Sequence, residues 1–251
     1  MITLRFGQTE AGIDEQKGAV VSRFTFRQLL VLFPDGQLPT GGGMKRRGGI
    51  PLLFPCAGPL PADSRFPLPQ HGFARDMAWQ VIEKGEATVR LRLESDNQTL
   101  AMFPFAFALT LSLRLEEGLL RYDLEIENRS DQPMPTAPGL HPYIYIPAQN
   151  RANIITSVAE FDPAAYRDLE TLSYAFHSPL TVHIPGHGEA SMTASSQFKR
   201  LMIWSEPERD YICFEPWRGE VGSILSADGA LVIPARSRES LALTISFKPE
   251  I

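Results

Sequence analysis

The sequence predicts an all-β chain with very little helix, folded as a sandwich of antiparallel sheets. Three observations carry this. Apolar and polar residues alternate over several long stretches, the period of a strand with one buried face. Proline is in excess, 21 in 251 residues against about 5% in average proteins. Its dense windows hold Pro51, Pro55, Pro59, Pro61, Pro67 and Pro69, then Pro133, Pro135, Pro138, Pro142 and Pro147. Proline lacks an N–H and fixes φ, so neither window is expected to be helix interior or central strand. Finally, 43% of residues are hydrophobic, and no repeat or low-complexity linker divides the chain. The expectation is a single domain over residues 1–251 with one sizeable core.

Strands are expected at residues 3–6, 19–24, 28–33 and 79–82. In 87–94, Ala87, Val89, Leu91 and Leu93 alternate with Thr88, Arg90, Arg92 and Glu94. In 107–115 every odd position is apolar, and in 120–127 Leu120, Tyr122, Leu124 and Ile126 alternate with charges. Glu116-Glu117-Gly118 between these two runs reads as a hairpin turn. Asp162-Pro163 offers an N-cap followed by proline at the first helical position, so the one helix is expected to begin there. Further strands are expected at 201–204, 211–215 and 241–247.

The charge balance is 24 basic against 29 acidic residues. That is not the positive field a nucleic-acid partner requires. Apolar runs such as residues 29–33 are far too short to span a bilayer, and residues 1–10 have no signal-peptide core, so no membrane partner is expected. Cys56 and Cys213 stand far apart, without metal-ligand partners nearby. They read as free thiols in a reducing cytoplasm, with a single disulfide as the alternative.

Four segments offer chemistry. Gln70-His71-Gly72-Phe73-Ala74-Arg75 closes the first proline window; His71 can exchange protons and Arg75 can hold an anion or hydroxyls. The alternative is a loop histidine with local bonds only. In Gly139-Leu140-His141-Pro142-Tyr143, Pro142 biases His141 to extended backbone, which sends Tyr143 to the same face. A structural histidine is again the alternative. In Tyr211-Ile212-Cys213-Phe214-Glu215-Pro216-Trp217, Ile212 and Phe214 share one face, and Tyr211, Cys213 and Glu215 the other. Pro216 is expected to stop the ladder. A carboxylate among apolar neighbours has a raised pKa suited to general-base work; an edge carboxylate facing water is the competing reading. Gly41 through Pro51 carries Lys45, Arg46 and Arg47 between glycines, which suits either an anion clamp or a solvated turn. His183 and His187 have a spacing that a metal would need on a helix, but Pro185 and Gly186 exclude a helix, so no metal site is expected.

In their order these motifs resemble the aldose 1-epimerase family, with its galactose mutarotase-like fold. The motifs are Arg47-Gly48-Gly49-Ile50-Pro51 with Phe54-Pro55, then Gln70 through Arg75 and Phe103-Pro104-Phe105. Asn128 through Pro135, Gly139 through Tyr143, Phe214-Glu215-Pro216-Trp217 and Ile233-Pro234 follow. The resemblance runs from about residue 40 to the end, and the first two motifs look more like the hexose-6-phosphate mutarotase branch. It implies a large antiparallel β-supersandwich with a sugar cleft on one sheet, and interconversion of α and β anomers without a cofactor. It implies Glu215 as base at the anomeric O1, His141 as acid at the ring oxygen and His71 as a stabilising hydrogen-bonder. A nearby carboxylate is expected to raise the pKa of His141. Arg47, Arg75, Gln70 and Tyr143 are expected to bind the sugar or sugar phosphate, with Trp217 as a stacking face.

The Asp-Arg-Val-Tyr-like segment of sugar-phosphate mutarotases is absent between His141 and Glu215; Asp162 and Asp168 are the candidates to replace its acidic group. That absence motivates a second reading, a non-catalytic carbohydrate-binding or sugar-phosphate-sensing domain on the same fold.

Overall fold

A computed structural model of the chain describes residues 1–226 and 228–250. Its alternating stretches form antiparallel sheets, as the period of two requires. Eight strands make the largest sheet. Ile155–Thr156, Leu180–Ile184, Gly188–Ala194 and Arg238–Pro249 lead in spatial order to Leu119–Asn128, Phe107–Glu116, Thr88–Glu94 and Gln80–Lys84. The turn between Glu116 and Leu119 closes the expected hairpin. A second sheet runs Leu172–Ala175, Arg200–Trp204, Tyr211–Trp217, Gly139–Leu140 and Leu52–Leu53, and Tyr143–Tyr145 also pairs with Tyr211–Trp217. Ile2–Phe6, Thr9–Asp14, Val20–Phe26 and Leu29–Leu30 form a four-stranded meander.

The core lies where the sheets face each other. Leu109, Leu111, Leu113, Leu124, Ile126, Leu241 and Leu243 belong to one continuous buried cluster with Ile203, Ile212 and Phe214. Each such side chain contributes about 1.5–3 kcal/mol of burial. All seven residues of Tyr211–Trp217 are buried. Alternation sends Ile212 and Phe214 into the core, while Tyr211 and Cys213 pack with Tyr143 on the other side. This strand therefore separates the core from the face that carries the candidate site.

The proline windows bond to each other. His141 N–H donates to Pro51 O at 3.0 Å, Ala57 N–H to Ala137 O at 2.9 Å, and Ala137 N–H to Pro55 O at 2.8 Å. Prolines act here as acceptors only, which their chemistry allows. Leu52–Leu53 and Gly139–Leu140 enter the sheet as two-residue strands between the prolines, Leu52–Leu53 at its edge and Gly139–Leu140 within it, so only the second window supplies the sheet interior that proline content alone argued against.

Four other expectations are corrected. Asp162 does cap, its Oδ1 accepting from Ala164 N–H at 2.9 Å, but a turn follows rather than a helix. Among the described residues the α-helix is Asn97–Met102, started by Asp96 and Thr99 in a reciprocal capping box. Pro216 does not stop the ladder: Leu201 pairs with Pro216 and Arg200 with Trp217. Residues 28–33 supply only the short strand Leu29–Leu30. Gly36–Thr40 and Gly43–Arg47 form a two-stranded hairpin, so the basic glycine segment is strand rather than loop. His183 and His187 flank the turn between Leu180–Ile184 and Gly188–Ala194, and His187 Nε2 bonds Leu30 O at 2.7 Å. Among the described residues no helix is long and apolar enough to cross a membrane.

Candidate active site

Glu215 and His141 meet at the base of a cleft of about 620 Å³. Strand alternation aims Glu215 out of the core, and the backbone bond to Pro51 seats His141 beside it. His141 Nε2 lies 3.2 Å from Glu215 Oε1, and the Trp217 indole N–H donates to Oε2 at 3.0 Å. Tyr143 leaves the same face as His141, and the two rings stack with centroids 4.7 Å apart. Gly139 has no room for a side chain, since a Cβ there would come within 2.7 Å of the Trp217 ring.

Both members of the pair are pushed towards neutrality. Burial raises the Glu215 carboxyl well above its ordinary range, against the opposing pull of the Trp217 bond and Arg75. Burial, then His71, Arg75 and Arg47, hold His141 well below the usual imidazole range. The expectation that a carboxylate raises the His141 pKa is thus corrected: desolvation and nearby cations outweigh it. His141 Nδ1 is buried without a partner, so an imidazolium would also strand an N–H. Both shifts favour the neutral forms, with the proton on Glu215 rather than on His141.

His71 sits in the left-handed region at φ 69°, followed by Gly72 at φ 68°. A Cβ on Gly72 would lie 2.0 Å from Phe54 O, so this turn needs glycine. His71 and Gly58 bond reciprocally: His71 N–H donates to Gly58 O at 3.0 Å, and Gly58 N–H donates to His71 Nδ1 at 3.0 Å. Nδ1 is therefore an acceptor, and the ring proton is on Nε2. Burial, then Arg75 and Arg47, push the ring down to about 3. His71 is thus a fixed neutral donor lining the cleft, with the Gln70 amide 3.3 Å from Nε2.

Arg47 also lines the cleft, but it is engaged. Its Nε and Nη2 donate to the two Glu206 oxygens at 2.9 and 3.0 Å, and its guanidinium lies over Trp204. Burial works against its charge, and the Glu206 bonds more than restore it. Tyr211 O–H donates to the same carboxylate at 2.6 Å. Glu206 is an acidic group that sequence reasoning missed; it stands 159 residues from Arg47 and carries no motif. Asp168 instead pairs with Arg151, and neither it nor Asp162 lines the cleft. Gln70, Arg75, Tyr143 and Trp217 do line it. Trp217, 4% exposed, spends its polar edge on Glu215.

Metal-type donors gather at one place among the described residues: His141, Cys213 and Glu215 offer atoms within 4.8 Å of one another. Burial raises the Cys213 thiol well above its ordinary value, as it does Glu215, so protons rather than a cation suit this donor set. Cys56 and Cys213 are both free and buried.

The family model described as aldose 1-epimerase matches residues 23–174. The chain belongs to the aldose 1-epimerase family. The matched span of this aldose 1-epimerase family member includes Arg47, His71 and His141, while Glu215 lies beyond it. A Salmonella typhimurium protein described as "putative glucose-6-phosphate 1-epimerase" is 30% identical over 150 residues, 58% of this chain and 48% of that protein. The alignment thus spans about half of that relative. A Synechocystis protein of 25% identity superimposes with a TM-score of 0.86, covering 99% of this chain and 96% of the other. A galactose mutarotase related enzyme from Lactobacillus acidophilus, 18% identical, superimposes with a TM-score of 0.81 over 98% and 97% of the two chains. These structural likenesses extend the galactose mutarotase-like fold to the whole chain, Tyr211–Trp217 included.

Proposed function

We propose that this epimerase family member is a mutarotase acting on an aldohexose or its 6-phosphate. The observation that carries the reading is the 3.2 Å approach of His141 Nε2 to Glu215 Oε1 in the cleft. Ring opening of a cyclic hemiacetal needs one proton removed and one supplied, at two oxygens on the same carbon. Glu215 takes the proton of O1 while His141 gives one to the ring oxygen. The C1–ring-oxygen bond breaks with its electron pair going to the ring oxygen, and C1=O forms. The carbonyl end rotates, and closure on the other face reverses both transfers.

The proton count of the pair is unchanged across the cycle, so no co-reactant enters. Burial favours the tautomer with the proton on Glu215, so opening starts once that proton has crossed the 3.2 Å contact to His141, and the opened state returns the pair to the favoured tautomer. His71 is well suited to donate Nε2–H towards the ring-oxygen region without ionising. The Arg47–Glu206 pair suits neutral hydroxyls, since its charges already compensate each other. Free thiols support placement in a reducing cytoplasm.

NMR exchange spectroscopy on α-glucose and α-glucose 6-phosphate tests the proposal. Anomer exchange faster than in buffer is expected for at least one. Sugar binding without any acceleration would discard catalysis and leave a binding domain.

A further inference from the structure

Glu206 stands behind the cleft wall rather than on it. It does not line the cleft, and it is buried, at 7% exposure. Both carboxylate oxygens are engaged. Oε1 accepts from Arg47 Nη2 at 3.0 Å, and Oε2 accepts from Arg47 Nε at 2.9 Å and from the Tyr211 O–H at 2.6 Å. Its main-chain carbonyl is held as well, by Arg151 Nη1 at 2.9 Å. Burial works against the charge, but the Arg47 and Tyr211 bonds hold the carboxyl below its ordinary range.

These contacts decide what Arg47 can still offer to the cleft that it lines. A guanidinium carries five N–H groups. Two go to Glu206, and one on Nη1 goes to Arg46 O at 3.1 Å. Its face is taken by the Trp204 ring, 5.1 Å from the centroid. Two N–H groups remain, enough to serve an uncharged hydroxyl. The positive charge itself is already answered. An incoming anion that drew Arg47 away would leave the Glu206 carboxylate buried and unpaired, which is strongly unfavourable.

We propose that Glu206 is a positioning and specificity-determining residue. By clamping Arg47 against Trp204 it keeps that guanidinium as a hydroxyl donor and denies it to charged groups on the substrate. This rests on the reading of the cleft as a sugar site. Glu206 touches no reacting atom and acts through Arg47 alone.

Calorimetric binding of glucose and glucose 6-phosphate to the wild type, Glu206→Asp, Glu206→Gln and the charge-neutral double variant Arg47→Met/Glu206→Gln tests it. The readout is the ratio of the two affinities, which a loss of packing alone would not move. Glu206→Gln should shift that ratio about tenfold towards the phosphate, the scale of one charge-assisted bond. Added salt should shrink the gain. Glu206→Asp, which keeps the charge, should stay near the wild-type ratio, and the double variant should return to it. An unmoved ratio in Glu206→Gln, or a gain that persists in the double variant, overturns the proposal. Should Glu206→Gln not fold, the double variant carries the test. A ratio falling below that of the wild type would then show that Arg47 reads the anion even while Glu206 holds it, and the proposal fails. The expected ratios without anomer exchange in any variant would refute mutarotase activity alone.

Discussion

The Trp217 indole N–H holds one oxygen of the Glu215 carboxyl at 3.0 Å, leaving the other to face His141. The two residues are two positions apart on one strand face, so the sheet itself fixes their register. On the proposed reading, Trp217 therefore positions the base as well as lining the cleft.

Trp217→Phe keeps the ring and removes only this donor. The bond lowers the Glu215 pKa, so its loss should raise that pKa further. We expect kcat to fall about tenfold, the scale of a hydrogen bond to a charged group, with KM little changed. The pH profile should move to higher pH. A fall in kcat without that movement would assign Trp217 a packing role only.

Glu215→Gln should lower kcat at least about a hundredfold, the ordinary scale of losing a general base. His141→Asn should cost a similar factor. On the proposed mechanism the two residues exchange one proton, so the double variant should be little worse than either single one. Multiplying losses in NMR exchange rates would show two independent groups instead.

The pH profile follows from the directions of the two shifts. In the proposed mechanism the working pair holds one proton. A second proton on the acid side must charge His141, which sits well below its ordinary 6.5. Loss of the last proton on the alkaline side must ionise Glu215, which sits well above its ordinary 4.5. The rate should be flat through pH 6.5 and fall only well to the acid side of it. A half-maximal rate centred at 6.5 would describe an ordinary exposed imidazole.

How much of this was legible in the sequence follows from the range of each interaction. Alternation at 107–115 and 120–127 is local, and it gave the hairpin almost to the residue. The facing of Tyr211, Cys213 and Glu215 was legible for the same reason. Glu206 was not, because its partners Arg47 and Tyr211 are chosen by tertiary packing. Asp162-Pro163 is a sound helix start that lacks an amphipathic run to follow it. Asp96 starts the real helix, with a threonine rather than a glutamate closing its capping box. Pro216 misled because a residue without an N–H still offers a carbonyl and an extended backbone to the ladder.

His71 supplies a prediction about stability. Its ring is neutral in the folded state down to about 3, against an ordinary 6.5. Above pH 6.5 neither the folded nor the unfolded chain protonates it, and its contribution to stability is fully present. As pH falls below 6.5 the unfolded chain takes up a proton that the folded chain refuses, so stability is lost until about pH 3. The slope for one such proton is roughly 1.4 kcal/mol per pH unit. His141 acts in the same direction. Glu215 acts in the opposite one, since its raised pKa stabilises the fold at low pH and loses that effect as pH rises. His71→Gln removes a single proton from the balance. Denaturant titrations from pH 6.5 down to about 3 should show a shallower acid loss for His71→Gln than for the wild type, whatever its stability at neutral pH. Parallel curves would mean that the ring already carries its proton in the folded protein, and the Gly58 N–H could then not be donating to Nδ1.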